Sequence, residues 1–102
     1  MNRVELARSL YDAIVRSRGV ACLGGGAVEV STQYAGGKVP GIAVSGPHVD
    51  VHVVAGEVPV TAVAERVHRA AARVLRAAAD PREVRVLVTD VDVDSLDRPG
   101  RG

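Results

Sequence analysis

Between His48 and Val53 the chain alternates without interruption, polar at His48, Asp50 and His52 and apolar at Val49, Val51 and Val53. A strand with this pattern must bury one face and leave the other to polar surroundings. Gly46-Pro47 is a turn signal, and residues 41–45 before it form a second apolar run, so the two segments read as a hairpin. After Gly56 the period changes. Val60, Val63, Ala64, Val67, Ala71, Val74, Leu75 and Ala78 recur at i, i+3, i+4 and i+7, which predicts a helix of about 20 residues. Pro59 suits its first turn and Asp80-Pro81 closes it. Val84, Val86 and Val88 then alternate with Arg85, Leu87 and Thr89, after which the apolar phase moves to Val91 and Val93. A shift from even to odd positions implies a bulge near Asp90 or departure of the strand from its sheet.

The amino-terminal part adds a second helix over 3–17. Val4, Ala7, Leu10, Tyr11 and Ile14 form its apolar side, Arg16 and Arg18 fall in its last turn, and Gly19 stops it. Between Val20 and Lys38, Gly24-Gly25-Gly26 and Gly36-Gly37 bracket a β-prone run, Val28 to Tyr34, whose state as strand or loop the sequence leaves open. The expected architecture is α+β: a small mixed β-sheet with two helices packed on one face, ending in a β-α-β unit. Its 102 residues fit one domain, spanning 1–95, with 96–102 a short polar tail. Two helices cover only one face, so the other must meet solvent, a loop or another molecule.

Composition narrows the function. The chain has no Trp and no Phe, and its only aromatics are Tyr11 and Tyr34. This removes the stacking platforms of single-strand nucleic-acid binders and the aromatic belts of membrane anchors. A lone Cys22 makes no internal disulfide, and a reducing, cytoplasmic setting is the expectation. The longest charge-free stretches, 19–28 and 39–49, fall short of a membrane span. Arg3, Glu5, Arg8 and Asp12 interrupt any apolar signal-peptide core.

Motifs for chemistry fail in turn. Gly24-Gly25-Gly26 lacks the final glycine and following helix of a dinucleotide fingerprint. Gly36-Gly37-Lys38 has Val39 where a phosphate loop needs Ser or Thr, and Thr32 where its first glycine belongs. Asp90, Asp92 and Asp94 open like a calcium loop, but Ser95 replaces the turn glycine and Arg101 the bidentate Glu. His48, Asp50 and His52 share a strand face and could chelate zinc; without a second His or Cys cluster they read better as solvated residues. Cys22, among Val20, Ala21 and Leu23, reads as a buried small hydrophobe. No catalytic residue, metal site or cofactor is expected. Arg66, Arg69, Arg73 and Arg76 stripe the solvent side of the long helix, a candidate contact for an anionic surface.

The order of these features resembles the alkaline shock protein family, the Gls-type envelope stress response proteins. The resemblance runs over residues 4–93. It is carried by a first helix ending in Arg18-Gly19-Val20, then Gly41-Ile42-Ala43-Val44, the Val49-to-Val54 strand, Gly56 and Pro59-Val60. The Val63/Val67/Val74 helix and a closing Val-rich strand with Asp90-Val91 complete it. It implies a small bacterial cytoplasmic protein without enzymatic activity. Such a protein would be a scaffold that self-associates as a homo-oligomer, or docks beneath the membrane on a small membrane-spanning protein partner. The open sheet face, with Gly41, Ala43, Asp50, His52, Val54, Arg85 and Leu87, is the expected contact, and the arginine stripe would add weak anionic lipid binding. The alternative is a small nucleic-acid-binding module using the basic face of the long helix. Against it stand the near-zero net charge and the lack of a G-x-x-G loop or aromatic run.

Overall fold

A computed structural model of the chain describes residues 1–26 and 28–92. The elements are α1 (Arg3–Val15), β1 (Val20–Leu23), β2 (Ser31–Tyr34), β3 (Gly37–Pro40), β4 (Ile42–Val44), β5 (His48–Ala55), α2 (Val60–Ala77) and β6 (Glu83–Val91). The tail expected at 96–102, with Val93, Asp94, Ser95 and Arg101, lies outside the described residues.

β5 is the centre of a four-stranded sheet. β6 runs parallel along one edge, from His48 opposite Glu83 to Ala55 opposite Val91. Two short antiparallel strands share the other edge, β4 opposite Val49–Val51 and β1 opposite Val53–Ala55. The α+β architecture, the β4–β5 hairpin and the closing β-α-β unit are as the sequence implies. The bulge falls at Thr89, where the β6 register skips from Val88 to Asp90.

Alternation along β5 sorts its side chains. Val49, Val51, Val53 and Ala55 are fully buried under Leu6, Leu10 and Ile14 of α1 and Val63, Val67 and Ala71 of α2. Both helices therefore cover the same face. Val74 of α2 is only partly buried. α1 starts with a capping box: the Asn2 side chain accepts from the Glu5 amide at 2.8 Å, and the Glu5 carboxylate accepts from the Asn2 amide at 3.1 Å. It ends earlier than 3–17 would have it. Arg16 is the C-cap and Arg18 lies beyond, so neither occupies the last turn. Pro59 stands just outside α2, in extended conformation, instead of within its first turn.

The glycine-bracketed region contains more structure than a single run. Val20–Leu23 is a sheet strand, and Ser31–Pro40 forms a separate hairpin with Ala35-Gly36 at its tip. The buried Thr32 hydroxyl donates to the Ile42 carbonyl at 2.7 Å, and Arg8 of α1 sits 4.5 Å over the Tyr34 ring. These contacts hold the hairpin to β4 and α1.

Gly41 closes the seam between β1 and β4. The His52 amide donates to the Gly41 carbonyl at 2.8 Å, and the Gly24 amide donates to the His52 carbonyl at 2.7 Å. Gly41 has φ +77, and a Cβ there would lie 2.6 Å from the Gly24 nitrogen and 2.9 Å from the His52 oxygen. A side chain meets both a forbidden backbone region and unyielding backbone atoms. Gly41→Ala should therefore lose about 2 kcal/mol or more in urea unfolding. Gly46→Ala, with open space around it, should change stability by under about 0.5 kcal/mol.

Candidate functional site

The face of the sheet turned away from the helices carries the even-numbered residues of β5 and the odd-numbered residues of β6. On β5 these are His48, Asp50, His52 and Val54, all half-buried; on β6 they are Glu83, Arg85 and Leu87, all exposed. The strand period places them together, so their sharing one face was legible from the sequence. Asp50 and Arg85, opposite each other in the parallel register, form a two-pronged ion pair. Arg85 Nε donates to Asp50 Oδ1 at 2.7 Å and its Nη2 to Oδ2 at 3.1 Å. The hydrogen bonds from Arg85 hold the Asp50 carboxyl below the ordinary aspartate value, outweighing partial burial, which acts in the opposite direction. His48 Nε2 lies 3.7 Å from the Glu83 carboxylate.

Around this polar frame the face is apolar. Leu87 is 53% exposed and Val28, from the loop after β1, 72%. Together with Gly26, His52, Val88 and Thr89 they line a shallow groove of about 360 Å³. Nδ1 of His52 is buried and without a hydrogen-bond partner among the described residues.

Three expectations for this face need correction. Gly41 is buried in the seam and offers nothing to a partner. Val54 lies beneath the glycine loop: a Cβ on Gly25 would approach Val54 Cγ2 to 2.8 Å and Thr89 Oγ1 to 2.9 Å. The Thr89 hydroxyl fastens the loop by donating to the Gly24 carbonyl at 2.9 Å. Gly25 and Gly26 thus let the backbone cross the sheet at contact distance, a tertiary demand without a local sequence signal, whereas Gly24 has open space around it and is set apart only by its φ of +97. Cys22 is exposed, not buried. It stands opposite Val54 in the β1–β5 ladder and so shares the face turned away from the helices. Ala43, opposite Asp50, is half-buried as a small residue of the face.

The triplet His48, Asp50 and His52 does share a face, but Asp50 is engaged by Arg85. No group of three His, Cys, Asp or Glu side chains among the described residues is placed to hold a metal ion.

The arginine stripe divides. Arg66 is only 29% exposed at its side chain and structural: its Nη1 donates to Glu57 Oε1 at 2.8 Å and to the Arg18 carbonyl at 2.5 Å, joining α2 to the end of α1. Arg69, Arg73 and Arg76 are exposed. Sequence reasoning missed that Arg16 and Arg18, beyond the end of α1, stand near Arg69 and Arg73. Arg16 and Arg73, with Ser17 and the small residues Ala13, Ala70 and Ala77, line a groove of about 500 Å³. An adjoining one contains Arg18, Arg66 and Arg69. The concentrated positive charge therefore lies in a furrow between the two helices.

The chain matches no protein-family model, no curated protein and no solved structure in these comparisons.

Folded Asp50 releases its proton more readily than the unfolded chain does. Its share of stability is therefore complete above the ordinary aspartate range and is lost as pH falls through that range toward the folded value. Asp50→Asn should lower stability at neutral pH and flatten the decline of the wild type below about pH 4. Urea midpoints measured from pH 3 to pH 7 check both.

Proposed function

We propose that the chain is a non-catalytic scaffold of the bacterial envelope stress response. It works in the cytoplasm close to the membrane, where it self-associates or docks on a small membrane-spanning protein. The observation that carries this reading is the open sheet face, where exposed Leu87 and Val28 flank a polar frame already fixed by Asp50 and Arg85. Apolar side chains beside ordered polar groups gain from leaving water without stranding a charge, which is the chemistry of a protein contact. The resemblance to alkaline shock proteins points the same way. Light scattering should find a dimer or larger species, and Leu87→Arg should weaken it at least tenfold. A monomer at high micromolar concentration, indifferent to that change, would sink self-association.

Membrane proximity is proposed to depend on the partner. No helix among the described residues is long and apolar enough to cross a membrane, and the apolar side of α2 is engaged with the core at Val63, Val67 and Ala71. Exposed Arg69, Arg73 and Arg76 supply electrostatic attraction of about 1 kcal/mol each near an anionic surface. Sedimentation with liposomes should show weak binding that rises with anionic lipid and disappears by about 0.3 M salt. Replacing Arg69, Arg73 and Arg76 with Gln should remove it without unfolding, while Arg66→Gln should instead lower stability because it breaks the tie to Glu57. Tight, salt-resistant binding to neutral liposomes would contradict partner dependence.

The furrow with Arg16, Arg18, Arg69 and Arg73 also keeps open a second reading, a nucleic-acid-binding module. Salt-dependent binding of duplex DNA or RNA at physiological ionic strength would favour it over the scaffold.

A further inference from the structure

β6 is the outer strand of the sheet, and among the described residues nothing pairs with its free edge. The Glu83 amide donates inward to the Pro47 carbonyl. Because successive residues of a strand address opposite edges, the inward groups belong to Glu83, Arg85 and Leu87. The outward N–H and C=O groups are those of Val84, Val86 and Val88. The bulge at Thr89 ends this run, leaving three outward-facing valines placed symmetrically about Val86.

Long edge strands are ordinarily guarded by charge or proline. Here the run from Glu83 to Thr89 contains no proline, and its two charges lean back over β5. Arg85 is held by Asp50, and Glu83 lies near His48. On the open side the edge adjoins the groove of Val28, His52 and Leu87. On the helix side it adjoins a second groove, of about 380 Å³, where Ala72, Leu75 and Val84 lie among the polar side chains of His68, Arg76, Asp80, Arg82 and Glu83. An added strand would therefore find backbone partners at its centre, apolar contacts on the open side and a mixed apolar and charged rim on the helix side.

We propose that the occupant is a second copy of this chain, with the two β6 strands antiparallel about a two-fold axis at Val86. This names the partner and mode of the self-association proposed above and rests on that reading. In this register Val86 pairs with its own mate and Val84 with Val88 of the other copy, so every outward-facing group of the run exchanges a hydrogen bond. A two-fold axis perpendicular to the sheet keeps both open faces on one side, which requires residues of equal parity to be opposite, as they are here. Leu87 then lies beside Arg85 of the second copy, and its exposed methyls cover the aliphatic stem of that side chain. A shift of two residues in either direction leaves an outward valine unpaired or drives the bulge into the ladder.

The test compares wild type with Val86→Pro. The Val86 amide faces the free edge, where no described residue pairs with it, so proline removes the donor needed by the second copy without breaking the β5–β6 ladder. Light scattering should show a wild-type dimer and a Val86→Pro monomer, with matching circular dichroism. Amide exchange of the unmodified wild type gives a reading independent of how the variant folds. The amides of Val84, Val86 and Val88 should exchange at least tenfold more slowly at about 300 µM than at about 3 µM, because pairing follows mass action. A dimer in which those three amides exchange equally at both concentrations overturns edge pairing while leaving self-association through the face intact. A chain still monomeric at about 300 µM overturns the pairing itself and leaves the edge to a strand from a different protein.

Discussion

Everything in this fold is referred to β5, because among the described strands it alone is hydrogen-bonded along both edges. β6 holds it along one side, and β4 and β1 divide the other between them. Its four inward side chains, Val49, Val51, Val53 and Ala55, are fully buried and form the floor on which α1 and α2 meet. A one-residue slip of β5 would place His48, Asp50 and His52 under the helices and the valines in water. Without Phe or Trp, small side chains on strand and helices allow close approach, and burial of many Val, Ala, Leu and Ile residues replaces a few large anchors.

The same constraint sets the demand for glycine. Two strands that share one edge of β5 must end and begin within a few ångströms of each other, and Gly41 is the residue that allows it, with φ +77 and no room for a Cβ. The loop leaving β1 then turns across the open face, where Gly25 and Gly26 pass against Val54 and Thr89. Gly25 and Gly26, which in the sequence imitate part of a nucleotide loop, are therefore packing devices. Their effect on function is indirect but definite: by covering Val54 they leave Val28 and Leu87 as the exposed large apolar side chains of the open face.

Charge is divided in a comparable way between structure and surface. Arg66, Arg82 and Arg85 spend their donors on this chain: on Glu57 and the Arg18 carbonyl, on Asp80 and the Ser45 carbonyl, and on Asp50. Arg69 and Arg73 project from α2 beside the residues that follow α1, which gathers the unspent charge into the interhelical furrow. A net charge of +1 thus conceals a locally basic surface.

Periodicity in the sequence determined the elements with long regular patterns: α1 and α2 from their 3.6-residue repeats, β5 and β6 from alternation, and the phase shift that becomes the bulge at Thr89. It also determined which side of β5 would be buried and that Ala43, Asp50, His52, Arg85 and Leu87 would share the other. These features follow from local geometry, because residue spacing alone fixes which side chains face the same way. Tertiary structure decided the rest. β1 and the Ser31–Pro40 hairpin are too short to have a period and exist through pairing with β5 and packing on α1. The exposure of Cys22, the burial of Gly41 and the covering of Val54 depend on how distant segments cross, and the capture of Arg66 by the Arg18 carbonyl depends on where α1 ends. None of these has a signature in residue spacing, because each is set by the approach of chain segments whose separation in space the sequence does not encode locally.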